Sequence, residues 1–113
     1  MVQKNGFEVL SREFKINGKL KDISEGGLSY QYTPFDGGGG DSEVVDILDK
    51  GPDRFFIAEL SCNRIYDITE LAADRTFTGT EIRLRGLKYV GPTEEQTQKL
   101  ELLLDKLTNL LKK

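Results

Sequence analysis

Lys21-Asp22-Ile23-Ser24-Glu25-Gly26-Gly27-Leu28-Ser29-Tyr30-Gln31-Tyr32-Thr33 is the stretch from which the fold is read. Its second half alternates: Leu28, Tyr30 and Tyr32 are apolar or aromatic, whereas Ser29, Gln31 and Thr33 are polar. A period of two belongs to a strand with one face in a core and the other in water. The first half is a turn. Asp22 and Ser24 have short oxygen-bearing side chains that hydrogen-bond nearby backbone amides. Gly26 and Gly27 permit positive φ and the close approach of a ligand or another backbone.

Towards the N-terminus, Phe7 to Ile16 reads as a strand. Asn17-Gly18 follows as a two-residue hairpin turn, with Lys19 to Ile23 as the returning strand. Towards the C-terminus, Glu43 to Leu48 reads as a fourth strand. Arg54 to Thr69 carries Phe56, Ala58, Leu60 and Cys62 at period two, then Ile65, Tyr66 and Ile68. Phe77 to Val90 carries Ile82 and Leu84, then Leu87 and Tyr89; the apolar phase slips by one at Gly86, which predicts a bulge there. The glycine run Gly37-Gly38-Gly39-Gly40 after Pro34 reads as a surface loop, and Gly51-Pro52-Asp53 as a turn.

The last segment changes period. Thr93-Glu94-Glu95-Gln96 is a capping box. Glu94 and Glu95 suit the positive end of a helix, and Lys112 and Lys113 the negative end. Leu100, Leu103, Leu104, Leu107, Leu110 and Leu111 form one apolar stripe that must be covered, by the rest of the chain or by a second copy. Strands uninterrupted by helices, then one amphipathic helix, predict a mainly β fold: a six-stranded antiparallel β-barrel at about residues 6–91 with a C-terminal α-helix at about 93–112, in a single domain spanning 1–113.

Composition narrows the function. The net charge of -3 over 113 residues gives no global basic field for a nucleic acid polymer or an anionic lipid surface, so an anion site must be local. Histidine is absent, which excludes Ser-His and Cys-His nucleophiles and His-ligated metals. Cys62, the single cysteine, cannot form an internal disulfide or a four-cysteine zinc site, and its apolar phase marks it as buried filler. No segment is apolar enough to insert in a membrane, and a cytoplasmic chain without catalytic residues, cofactor or metal is expected. Asp36 and Asp41 flank glycines without the spacing of a calcium loop, and no Gly-Lys-Ser/Thr makes the glycines a phosphate loop. Asp46, Asp49 and Asp53 read as solvated acids. Arg83 and Arg85 share one strand face, either a solvated face or a local basic patch beside a ligand.

The turn itself carries the functional information. The Ser24 hydroxyl and the turn amides are donors that can face an anion. The Asp22 carboxylate accepts only, which suits a guanine edge or an arginine and not a phosphate. The residues alone leave an ordinary Asx-type turn and a ligand loop both open. Asp22-x-Ser24-x-x-Gly27 ahead of an alternating strand resembles the Asp-x-Ser-x-x-Gly half of the signature of PilZ domains, bacterial receptors for the second messenger cyclic di-GMP. The likeness extends to Val9–Phe14 leading into Gly18–Asp22, to Arg83–Val90 as the closing strand, and to the leucine helix. It implies a PilZ-like barrel without enzymatic activity that binds cyclic di-GMP through Asp22, Ser24, Gly26 and Gly27, with Arg83 and Arg85 on a nearby face. It also implies a protein partner in motility or surface-attachment control.

The other half of the signature, an Arg-x-x-x-Arg segment upstream of the aspartate, has no match here: Lys4, Arg12 and Lys15 are the nearby cations, and no two arginines lie four apart. In the family that pair grips the phosphates and stacks on the guanines, as guanidinium planes do. Charge-assisted bonds contribute about 1.5–3 kcal/mol each. The expectation is therefore weakened nucleotide binding, or a degenerate adaptor that acts through protein contacts.

Overall fold

The alternation of Leu28, Tyr30 and Tyr32 does place them in a core: they are 5%, 0% and 8% exposed. The computed structural model describes residues 7–12, 16–33, 40–49, 55–72, 74 and 79–111, with the side chains of all but Ile16, Asn109, Leu110 and Leu111. The strands are β1 (Phe7–Ser11), β2 (Ile16–Ile23), β3 (Gly27–Tyr32), β4 (Ser42–Asp49), β5 (Phe56–Leu71) and β6 (Ile82–Tyr89), followed by α1 (Glu94–Leu111). All neighbours are antiparallel, and the sheet closes as a barrel in the order β1-β2-β3-β6-β5-β4. The expected architecture of six strands and one terminal helix is the one observed. The glycines 37–39, the turn at 51–53 and the lysines 112–113 lie outside the described residues.

Two local readings differ. Asn17 and Gly18 are not a turn; they pair with Leu10 and Val9 inside the β1–β2 ladder, and the reversal falls between Ser11 and Ile16. A Cβ on Gly18 would lie 2.3 Å from the Tyr30 ring, so the glycine makes room for a core tyrosine. At Gly86, β6 itself runs without a bulge. The irregularity lies opposite, on β5, between Arg64 and Tyr66.

The apparent phase slip in β6 has a different origin: its inward positions change from apolar to charged. Leu87 and Tyr89 point into the barrel, and so do Arg85 and Arg83, which pair across from the inward Tyr30 and Tyr32. Arg85 is 2% exposed, which corrects the expectation of a solvated basic face. Its Nε donates to Glu43 at 3.1 Å, its Nη1 to Asp67 at 2.8 Å and its Nη2 to the Gly40 carbonyl at 2.6 Å. Glu43 also accepts from Ser11 and Tyr30, each at 3.0 Å. Arg83 donates to Asp67 at 2.7 Å and to Glu81 at 2.8 Å, and the Tyr32 hydroxyl donates to Asp67. Buried charges persist only when paired and hydrogen-bonded, and these are.

The helix covers the other end. Thr93 and Gln96 form the capping box reciprocally, Thr93 N–H to Gln96 Oε1 at 2.9 Å and Gln96 N–H to Thr93 Oγ1 at 3.1 Å. The Gln96 amide also donates to the Ala58 and Glu59 carbonyls, which pins the cap to β5. Leu100 and Leu103 are buried in the barrel's core and Leu107 packs beside them, so the barrel covers this part of the stripe. Lys106 reaches Asp49 at 3.3 Å.

Asp67 makes the interior network sensitive to acid. Burial alone would raise its pKa, but hydrogen bonds from Tyr32, Arg83 and Arg85 outweigh burial and hold it below its ordinary 3.8. A carboxyl depressed in the folded state contributes stability above its unfolded pKa, and that contribution is lost as pH falls through the folded value. Asp67→Asn is therefore expected to be less stable at neutral pH and to lose stability less steeply below pH 3.8, as followed by circular dichroism. An acid limb as steep as the parent's would contradict this.

Candidate functional site

The turn between β2 and β3 is closed by Ser24. Its Oγ accepts from the Gly26 and Gly27 amides, each at 3.3 Å, and its backbone N–H donates to the Gly27 carbonyl at 2.8 Å. β6 then holds the turn from the side: Tyr89 N–H donates to the Gly26 carbonyl at 3.0 Å and Tyr89 Oη to the Gly27 carbonyl at 3.1 Å. Neither Gly26 nor Gly27 uses positive φ; among the described residues the glycines that do are Gly79 and Gly91. Gly27 is needed for a different reason. A Cβ there would lie 2.1 Å from the Leu87 carbonyl oxygen, so the close approach it permits is that of β6. Gly26 is open on its Cβ side.

The strand registers set a row of residues on the outer face beside this turn. Asp22 pairs with Ser29, Ser29 with Gly86, and Gly86 with Tyr66. Four adjacent strands contribute one residue each, a row of about 14 Å at about 4.8 Å per strand. The register shift between Leu20 and Asp22 brings Asp22 into the row, and the shift between Arg64 and Tyr66 brings Tyr66 into it. One outward step along the strands, Gly27 pairs with Lys88. The row floors an open groove of about 440 Å³, lined among others by Asp22, Ser24, Gly27, Ser29, Tyr66 and Lys88.

The groove has distinct chemistry along its length. Asp22 is exposed, and among the described residues its carboxylate has no partner. Ser29 is 4% exposed, and its hydroxyl has no hydrogen-bond partner among the described residues. Gly86 beside it is buried, because the Tyr66 ring edge lies 2.3 Å from where a Cβ on Gly86 would sit. Tyr66 remains 38% exposed, with Ile65 at 62% beside it. An acceptor, a buried hydroxyl, an aromatic ring and the exposed Lys88 thus share one concave face.

Asp22, Ser24, Gly26 and Gly27 are brought together at this groove as the sequence reading grouped them. Arg83 and Arg85 are not; they point to the barrel interior. Arg12 is engaged elsewhere, with Asp46 at 2.9 Å and Glu59 at 3.0 Å. Ser29, Tyr66, Gly86 and Lys88 line the same groove and are not among the candidates read from sequence. The polar phase of β3 did mark Ser29 as outward, but nothing in sequence places Tyr66 next to it. Cys62 is buried, and burial, with the nearby Glu43 charge, pushes its thiol up to about 12, so it is not a ready nucleophile. Among the described residues no group of acidic or cysteine side chains could hold a metal ion, and no described helix is long and apolar enough to cross a membrane.

No protein-family model matches the chain, and no curated protein matches it. Its structure is similar to the crystal structure of the Borreliella burgdorferi PlzA protein in complex with c-di-GMP, with a TM-score of 0.56 and 16% sequence identity over 93% of this chain. The chain spans 46% of that protein's length. The likeness is one of fold: a PilZ-like barrel.

The two glycines of the groove should respond differently to alanine. Gly27→Ala meets the backbone of β6, which cannot yield without breaking the ladder, and is expected to destabilise by about 1–3 kcal/mol. The three heavy atoms nearest a Cβ at Gly86 all belong to the Tyr66 ring, which can swing into solvent, so Gly86→Ala is expected to cost under about 1 kcal/mol. Urea unfolding of the two variants measures the difference; equal losses would contradict the assigned contacts.

Proposed function

We propose that the chain is a binding module for a guanine-containing cyclic dinucleotide, cyclic di-GMP, held in the groove beside the Ser24 turn. The observation that carries this reading is the Asp22 carboxylate, unpartnered among the described residues, at the rim of a concave, glycine-floored face, in a fold like that of a protein solved in complex with c-di-GMP. A guanine edge presents adjacent N–H donors, and a carboxylate accepts two such bonds. Ser24 holds the turn that fixes Asp22, and Gly26 leaves open space for the ligand to approach. With no histidine in the chain, binding without turnover is the expected behaviour. The module works in the cytoplasm, where its binding state governs a protein contact in motility or surface attachment.

A second reading, an adaptor on the same barrel that acts without nucleotide, is favoured by one observation. Ile65, Ile68 and Leu71 on β5 are 62%, 50% and 38% exposed, an apolar strip suited to a protein partner.

Binding is expected to be weak, because the positive charge at the groove is a lysine and not an arginine pair. Calorimetric titration with cyclic di-GMP should give a Kd of tens of micromolar or weaker, and Asp22→Ala should weaken it about tenfold or more, the loss of a charge-assisted bond pair. Binding that survives Asp22→Ala unchanged would sink the assignment of this groove. No binding by the parent chain at millimolar nucleotide would leave the adaptor reading in its place.

A further inference from the structure

The groove holds more than the turn uses. On its floor lies a serine hydroxyl that is almost fully buried yet unpartnered among the described residues. A buried hydroxyl with no partner destabilises the fold, and native structures leave few such groups without a reason. Ser29 sits between Asp22 on β2 and Gly86 on β6, so one neighbour in the row is an acceptor and the other has no side chain at all. An unpaired hydroxyl at the floor of an open groove is placed to meet a group that comes from outside.

Tyr66 covers the glycine. It is the next residue in the row, its ring edge rests on Gly86, and it is partly open to solvent. An aromatic ring at the groove floor offers a face on which a flat ring can lie, and such stacking does not need a particular base. Lys88 is exposed one outward step away, opposite Gly27, and among the described residues its ammonium has no partner. It supplies local positive charge on a chain that is acidic overall. These three side chains come from β3, β5 and β6, outside the Asp22–Gly27 turn but beside it.

Building on the cyclic di-GMP reading, we propose that Ser29, Tyr66 and Lys88 form the second half of the binding site. Ser29 Oγ hydrogen-bonds to a polar atom of the nucleotide when the Tyr66 ring swings off Gly86. The Tyr66 ring packs against a purine face, and the Lys88 ammonium pairs with a phosphate. The turn then contributes the guanine edge contact through Asp22, and the sheet face contributes stacking and charge. The ligand class follows: a planar ring joined to an anionic group, spanning the row.

The test is titration with cyclic di-GMP, followed by amide chemical shifts and by calorimetry, on the parent and on Ser29→Ala, Tyr66→Ala, Tyr66→Phe and Lys88→Gln. Amides of residues 29, 66, 86 and 88 are expected to shift together with those of residues 22–27. Ser29→Ala is expected to weaken binding about three- to tenfold while the ligand-free protein melts at the same temperature or higher, since the unpaired hydroxyl is gone. Tyr66→Ala should weaken binding by about tenfold or more and Tyr66→Phe should bind as the parent does. Lys88→Gln should weaken binding and flatten its dependence on salt. A parent that binds with shifts confined to residues 22–27, or variants that all bind as the parent does, overturns this inference and leaves the cyclic di-GMP reading standing. A parent that shows neither heat nor shifts overturns both.

Discussion

The structure depends on Arg85 pointing inward. A guanidinium buried at 2% exposure must be surrounded by acceptors, and Glu43 from β4, Asp67 from β5 and the Gly40 carbonyl surround it. Burial by itself would lower its pKa, but the hydrogen bond it donates to Asp67 and the charge of Glu43 outweigh burial and raise it, so the group stays charged. Such a set of charges is worth less as net stability than its Coulomb energy suggests, because the desolvation penalty is of similar size. Removal of one partner is another matter: it strands a buried charge, at a cost of about 3–5 kcal/mol. The network therefore selects one arrangement of β4, β5 and β6 against arrangements displaced by one residue.

That choice of arrangement decides what the outside of the barrel presents. A one-residue slip of β6 would send every side chain to the opposite face. With Arg83, Arg85, Leu87 and Tyr89 inside, Leu84, Gly86 and Lys88 must face outward. Gly86 then lies beside Ser29 and under Tyr66, and Lys88 lies beside Gly27. The interior charges thus position the groove without touching it. The same strand positions the turn through Tyr89, whose amide and hydroxyl hold the Gly26 and Gly27 carbonyls.

Much of this was legible in the residues, and the misses share a cause. The alternation in β3, the Ser24 turn and the capping box at Thr93 rest on local chemistry, and local chemistry is what a sequence displays. Asn17-Gly18 is a strong hairpin signal, but the Tyr30 ring takes the space that only a glycine leaves, so tertiary packing overrode the local preference. Arg83 and Arg85 were read as outward because arginines are rarely buried without partners. Their partners Glu43 and Asp67 lie 42 and 18 residues from Arg85, and no period links them. For the same reason Gly86 was read as a bulge, and the row from Asp22 to Tyr66 was invisible: it exists only across four strands, through two register shifts.

The central claim is that this outward row is where a cyclic dinucleotide lies. The most direct measurement is the set of intermolecular nuclear Overhauser effects between protons of cyclic di-GMP and the protein in a saturated sample. Contacts from the guanine H8 and ribose H1′ protons to the Tyr66 ring and the Gly86 Hα protons are the result that the row predicts. Contacts made instead to the α1 side of the barrel, with none to Tyr66 or Gly86, would contradict it.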